Sequence, residues 1–309
     1  MQKKLMIKKI IELARFRFLL GGFFLYTMGA LLAVISGVDF SFYLLVFGYA
    51  IMMPAHLALS YSNNYFDIEV DKHNTPVSIS GGTKVLIEYP ELIPICKYIA
   101  ISLMILSGVL ATIFVLLYSY SIYFLAFVIF GSFLGWFYTA PPLKFAYRGM
   151  GEVANMINMG ILMPGIGYWV MKGNIGLFYL VFSIAFFLYG LEFMIIVETP
   201  DMEGDLKENK STFVVKYGRR ISYILLLFSL VAASIYYLIV DFFGFYGDQI
   251  NYFVIFILSL YPLSIALSGW FKMPFNKKIA TKVAQKNMYA LITFVIFINI
   301  YFIFSILLT

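Results

Sequence analysis

The chain of 309 residues is 62% hydrophobic and 12% charged, with a mean hydropathy of +0.90 and a net charge of +6. A soluble domain carries about 25% charged residues, so an ordinary soluble fold is excluded, and the apolar excess falls into runs of about 20 residues, the length that spans a bilayer. The basic balance beside such runs points to topology, anionic lipid or phosphate rather than nucleic acid, and the single cysteine, Cys96, excludes an internal disulfide.

The basic start, with Lys3 and Lys4, is followed by no small-residue cleavage site of signal-peptide type, so the first span is expected to be retained. Nine spans are predicted, at about 14–37, 41–66, 93–118, 121–139, 151–171, 175–198, 218–240, 250–271 and 286–308. With nine spans, all but one of the 22 lysines and arginines fall on one side; Lys172 lies on the other, with Asp39, Asp241 and Asp248. That bias places the N-terminus in the cytoplasm. The connections on that face are long, polar and rich in Gly and Pro, so the chemistry is expected there. The fold class that follows is an all-α polytopic membrane protein of nine transmembrane helices.

The second span carries His56 and ends in Asn63-Asn64-Tyr65-Phe66-Asp67-Ile68-Glu69-Val70-Asp71. Asn63, Asp67 and Asp71 are spaced four apart and project from nearly one helix face. An acidic cluster at the mouth of a membrane helix is costly to place there for packing alone, which makes it a candidate functional site. His56, seven residues before Asn63, shares that face; it can contact an acceptor molecule, act as a base, or simply pack. His73 is expected in solvent and Cys96 as an inert apolar residue. The fourth span ends at Tyr138-Thr139-Ala140-Pro141-Pro142, followed by Lys144, Tyr147, Arg148 and Glu152. The sixth span ends in Glu198, Asp201 and Asp205, with Lys207 and Lys210 just beyond.

The second acidic pair repeats the first at the same point of a span, four spans later. The chain is therefore expected to be one domain, 1–309, with related four-span halves at about 14–139 and 151–271 plus one further span. The joint site lies where such halves meet, around a central cavity. Carboxylate oxygens without thiolates or a histidine cluster favour Mg2+. Mg2+ shared between a few carboxylates and phosphate oxygens suggests a bridged diphosphate, with basic donors nearby. Lys144, Arg148 and Lys210 are the favoured donors and Arg17 a further one, while Arg15, Lys207 and Lys216 are assigned mainly to topology. Tyr65, Phe66, Tyr138 and Tyr147 are the aromatic residues singled out beside the motifs, able to face a developing carbocation.

This pattern resembles the UbiA-type intramembrane prenyltransferases. Asn63, Asp67 and Asp71 look like that family's first motif, Asp201 and Asp205 like its second, and Tyr138 through Glu152 like its fourth loop. Departures are Asn64, Glu198, Leu206 and Asn209, which stand where many members have Asp, Asn, Arg and Gly. The resemblance implies a catalytic set of Asp67, Asp71, Asp201 and Asp205. Mg2+, expected as two ions, would be held by these with Asn63 and Glu198. Substrate contacts would come from Asn63, Lys144, Arg148, Lys210, Tyr138, Arg17 and His56. It implies transfer from a prenyl diphosphate to a lipophilic or aromatic acceptor at a membrane-lipid-facing groove. The Ser80-Gly81-Gly82-Thr83-Lys84-Val85-Leu86 segment looks most like the menaquinone-biosynthesis branch, which favours a quinone precursor. A glyceryl ether phosphate is the alternative acceptor, and a cation-coupled secondary transporter is the alternative from another class.

Overall fold

The computed structural model describes residues 2–74, 76–79, 82–247, 249–272 and 276–308. Ser80, Gly81 and Asp248, named above, lie outside the described residues. Helices in chain order are α1 (Gln2–Leu13), α2 (Phe16–Ile35), α3 (Phe42–Phe66), α4 (Ile68–His73), α5 (Val85–Glu88), α6 (Ile93–Tyr118), α7 (Ile122–Trp136), α8 (Gly151–Ile157), α9 (Met163–Lys172), α10 (Leu177–Glu198), α11 (Met202–Lys207), α12 (Phe213–Phe242), α13 (Tyr252–Trp270) and α14 (Lys277–Leu308). No strand occurs among the described residues.

Seven of these elements are long and apolar enough to cross a membrane: α2, α3, α6 with its preceding turn, α10, α12, α13 and α14. The other two expected spans take different forms. The fourth is α7, a shorter apolar helix of 15 residues. The fifth is α8 and α9 joined by a π-helical turn, Asn158–Leu162. Widened turns of this kind recur at functional sites because they redirect side chains without ending the helix. Gly160 lies in that turn and packs directly on the backbone of Phe186 and Phe187 of α10, an approach no larger residue allows.

The boundaries follow local chemistry. Ser41, Ser121, Asn251 and Thr212 each accept a backbone N–H at the start of α3, α7, α13 and α12. Within α12, Gly218 takes a positive φ of 76°, so the expected start near 218 marks a kink inside a helix that begins at Phe213. The ninth span is likewise longer than expected, reaching back to Lys277.

The two ends of the bundle differ. At one end Lys172 Nζ, at the end of α9, donates to the Ser36 carbonyl at the end of α2, at 2.8 Å. At the other, two short helices follow the ends of long ones: α4 follows α3, and α11 follows α10. α4 and α11 pack against each other there. The core between mixes aliphatic residues such as Leu25, Ile51 and Leu230 with aromatic ones, including Tyr26, Phe114, Phe124, Phe182, Phe186 and Phe294. Outward positions such as Leu116, Tyr123 and Phe228 are exposed and apolar, as a lipid-facing surface requires.

Candidate functional site

α3 delivers Asn63 and its C-cap Asp67, and one turn of α4 carries Asp71. α10 delivers Glu198, and Asp201 and Asp205 begin and enter α11. All of them line one cavity of about 240 Å³, together with Arg15, Arg17, His56, Tyr138 and Lys210. The sequence-derived aspartates are thus brought together from both acidic motifs.

Lys210 bridges the motifs. Its Nζ lies 2.7 Å from Asp67 Oδ2 and 3.8 Å from Asp205 Oδ1. Tyr147 Oη donates to Asp67 Oδ1 at 2.8 Å, and Lys210 Nζ stands 5.5 Å from the Tyr147 ring. The Asn63 amide oxygen accepts from Thr139 Oγ1 at 3.0 Å, tying α3 to the start of the fourth loop. His73 and Glu208, 3.1 Å apart, add a further link between α4 and the chain after α11; His73 is exposed, as expected, and paired across the seam.

Burial dominates the electrostatics. It pushes the Asp71 carboxyl up to about 7; Arg15 opposes that and Asp67 adds to it. Asp201 is also pushed up to about 7 by burial and by Asp205, with Lys210 opposing. Burial raises Asp205 as well, against the pull of Lys210. Burial alone would lower the Lys210 ammonium, but the Asp67 and Asp205 carboxylates outweigh it and hold it well above the usual lysine value. The site thus holds more acidic groups than its cations neutralise.

The donor set fits a hard divalent cation. Asp201 Oδ1 and both Glu198 carboxylate oxygens are buried with no hydrogen-bond partner, acceptors that a cation would satisfy. Among the described residues no three His, Cys, Asp or Glu groups converge closely enough to enclose an ion by themselves. That suits Mg2+, which takes one or two carboxylates and completes its shell with water and phosphate oxygens. Cys96 is buried, and its thiol donates to the Tyr61 carbonyl at 3.2 Å, away from the cavity lining.

Below the aspartates the cavity turns apolar. Phe18, Phe24 and Leu25 of α2, Phe186 and Phe193 of α10, and Leu291 and Val295 of α14 line it. His56 sits in this stretch with its Nδ1 unpartnered, against Gly22 of α2.

Several expected residues stand elsewhere. Lys144 and Arg148 are exposed and do not line the cavity. Lys144 Nζ lies 4.9 Å from the centre of the Tyr147 ring, and Arg148 Nη2 donates to the Pro142 carbonyl at 2.8 Å. Tyr65 and Phe66 pack edge-to-face with each other, and Phe66 with Trp136, outside the lining. Arg17 lines the cavity and donates to the Val77 carbonyl at 3.3 Å.

Other residues were not read as site candidates. Arg15, expected as a topology cation, lines the cavity and donates to Asn64 Oδ1 at 2.7 Å. Asn74, Asn155 and Asn158 also line it. Asn155 precedes the π-helical turn and Asn158 enters it, three residues apart, which is a face-sharing interval. Asn74 follows the first motif by three residues but gave no periodic signal, since it lies past the end of α4.

Residues 23–291 match the UbiA prenyltransferase family. The chain is 27% identical over 231 residues to the digeranylgeranylglyceryl phosphate synthase of Methanococcus maripaludis, covering 73% of each. A UbiA homolog from Archaeoglobus fulgidus bound to GPP and Mg2+ superposes with a TM-score of 0.65 at 16% identity, over 94% of this chain and 99% of that one. A solved structure described for the biosynthesis of digeranylgeranylglyceryl phosphate synthase in membranes superposes with a TM-score of 0.63 at 21% identity, over 97% of this chain and 100% of that one.

Proposed function

Because the chain belongs to the UbiA prenyltransferase family and is an integral membrane enzyme, we propose that it transfers an isoprenyl group from an allylic prenyl diphosphate to the hydroxyl of a glyceryl ether phosphate. The observation that carries the donor half is the shape of the cavity that holds both acidic motifs. Four aspartates and Lys210 stand at its polar end, and an apolar passage between α2, α10 and α14 continues from them. A diphosphate head and an isoprenoid tail have that polarity in that order.

The roles follow from placement. Asp67, Asp71, Asp201 and Asp205, with Asn63 and Glu198, are the oxygen donors that would hold Mg2+, one ion for each motif. Bound there, the metal neutralises the charge that develops on the departing diphosphate. Lys210 and Arg15 balance the remaining charge at the polar end, and Arg17 lies beside them. The C1–oxygen bond breaks with its electron pair on the diphosphate. Tyr138 presents its ring to the cavity where the allylic cation forms. The apolar walls exclude water, so the cation is captured by the acceptor oxygen, whose proton passes to the departed diphosphate.

The acceptor is supported by the Methanococcus maripaludis relative, whose name describes a glyceryl phosphate bearing two geranylgeranyl groups. The quinone precursor favoured from the Ser80–Leu86 segment has no comparable support. The basic balance puts the site at the cytoplasmic face. The halves at about 14–139 and 151–271 are read as related units, because α4 and α11 occupy corresponding places after α3 and α10.

The test supplies purified protein, geranylgeranyl diphosphate and Mg2+ with either geranylgeranylglyceryl phosphate or dihydroxynaphthoate, and identifies products by mass spectrometry. The ether product is expected. A prenylated naphthoate alone would overturn the acceptor assignment. Solute uptake by proteoliposomes without diphosphate release would overturn the donor half in favour of transport.

A further inference from the structure

The helix that precedes the first span is not used by the chemistry above. α1 meets α2 at Arg15, whose φ of 50° is left-handed and breaks the two helices apart. The Ile10 carbonyl of α1 accepts from Tyr61 Oη at 3.1 Å, and the Leu13 carbonyl accepts from Asn64 Nδ2 at 3.2 Å. Tyr61 and Asn64 belong to the last turns of α3, so α1 lies across the end of that span, at the level where the bilayer ends.

Its faces are unequal. Met6, Ile10 and Leu13 pack inward with Tyr61, Leu86 and Cys96. Ile7 and Ile11, one turn apart, are 53% and 52% exposed. Lys3, Lys4 and Lys8 are exposed around them, while Lys9 is paired with Glu12 at 3.0 Å. Exposed isoleucines flanked by lysines with long apolar stems match a helix lying in the headgroup boundary, with its charges reaching the phosphates. The three unpaired positive charges select an anionic lipid surface over a neutral one.

The inner end of α1 reaches the cavity. Asn64, which holds the Leu13 carbonyl, also accepts from Arg15 Nη2 at 2.7 Å and from Thr83 Oγ1 at 2.8 Å. Asn64 is 1% exposed and adjoins Asn63 of the first motif. The seat of α1 therefore fixes where the Arg15 guanidinium stands in the polar end of the cavity. We propose that α1 binds the anionic bilayer surface through Lys3, Lys4 and Lys8, with Ile7 and Ile11 in the headgroup boundary, and that this seating holds Arg15 at the diphosphate site. The effect on turnover rests on the prenyl diphosphate assignment; the seating of α1 does not.

The experiment has two arms, both on the full chain in vesicles of phosphatidylcholine with or without about one-third phosphatidylglycerol. In the first, spin labels are placed by Ile7→Cys and by Ile11→Cys in a Cys96→Ser background, and their depth is read from oxygen accessibility. Both labels are expected at headgroup depth in anionic vesicles, and to move toward water in neutral ones or when Lys3→Gln, Lys4→Gln and Lys8→Gln are combined. Labels in water throughout, or at one depth throughout, overturn the proposal. In the second, the KM for geranylgeranyl diphosphate is expected to fall by about threefold or more in anionic vesicles for the wild type, and not for the triple variant. An equal KM in both vesicles, or a difference the triple variant keeps, refutes the coupling to Arg15. If no prenyl diphosphate turns over in any vesicle, the assigned reaction fails, and label depth alone decides the lipid site.

Discussion

Replacing Gly204 with alanine tests how the two acidic motifs are joined. Gly204 lies in α11, one residue before Asp205, and faces Asn74 beyond α4. A methyl group there would stand 2.8 Å from Asn74 Nδ2 and closer still to its Cγ and Oδ1. Carbon–nitrogen contact needs about 3.5 Å, so α11 must retreat by about 0.7 Å or more, or Asn74 must swing away. Asn74 is 4% exposed and hydrogen-bonds Asp205, so either response displaces the second motif relative to the first. A misplacement of about 1 Å can cost about 100-fold in rate; Gly204→Ala should lower Mg2+-dependent diphosphate release by roughly 30- to 100-fold while the protein stays folded. Adding Asn74→Ala removes the obstacle at the cost of one hydrogen bond and should recover about tenfold. A rate for Gly204→Ala within about threefold of wild type, or a double variant no better than the single, would refute the reasoning.

Lys210→Met leaves Asp67 and Asp205 buried without their cation, a loss of about 3–5 kcal/mol. The apparent melting temperature without metal should drop, and added Mg2+ should restore more of it than in wild type; equal recovery in both would count against the assignment. Lys144→Gln and Arg148→Gln, exposed and outside the cavity lining, should change KM for the prenyl diphosphate by less than about threefold, and a rise of about tenfold would place them at the substrate. Asp71 and Asp201, pushed up to about 7, hold protons that Mg2+ must displace. Metal affinity, read as the Mg2+ needed for half-maximal thermal stabilisation, should therefore improve from about pH 6 to about pH 8, and a flat profile would contradict it. Between about pH 4 and 7 the folded chain binds more protons at these groups than the unfolded chain, so metal-free stability should decline across that window.

The acidic motifs were legible because spacing of four at a helix end is a geometric statement. Asp67 is the C-cap of α3 and Asp201 begins α11, and both carry their partners to one side. The span count was partly legible. α7 has 15 residues, and the fifth span passes through a π-helical turn, neither of which hydropathy alone resolves. Lys144 and Arg148 fall outside the cavity lining, because sequence places a loop residue near a site without saying which way it turns. Lys144 takes a left-handed φ of 44°, and the chain turns so that Tyr147, rather than either cation, reaches Asp67. Arg15 was misjudged for the opposite reason. A basic residue before a membrane span is usually a topology signal, and the bond to Asn64 that draws it inward spans 49 residues. Glu152 was legible as the end of the fourth loop but not in its contact; its carboxylate accepts the Phe213 N–H at the start of α12, another long-range bond.

The central claim is that Asp67 and Asp201, from two separate motifs, serve one Mg2+-dependent ionisation. It is tested most directly by the stoichiometry of diphosphate release and prenylated product in the wild type, Asp67→Ala and Asp201→Ala. The expected result is one diphosphate per product in the wild type, only with Mg2+, and a loss of roughly 1,000-fold or more in each variant at unchanged fold, since losing metal-centred electrostatic stabilisation costs at least what losing one oxyanion donor does. Near-wild-type release from either variant, or equal release without divalent metal, would contradict it.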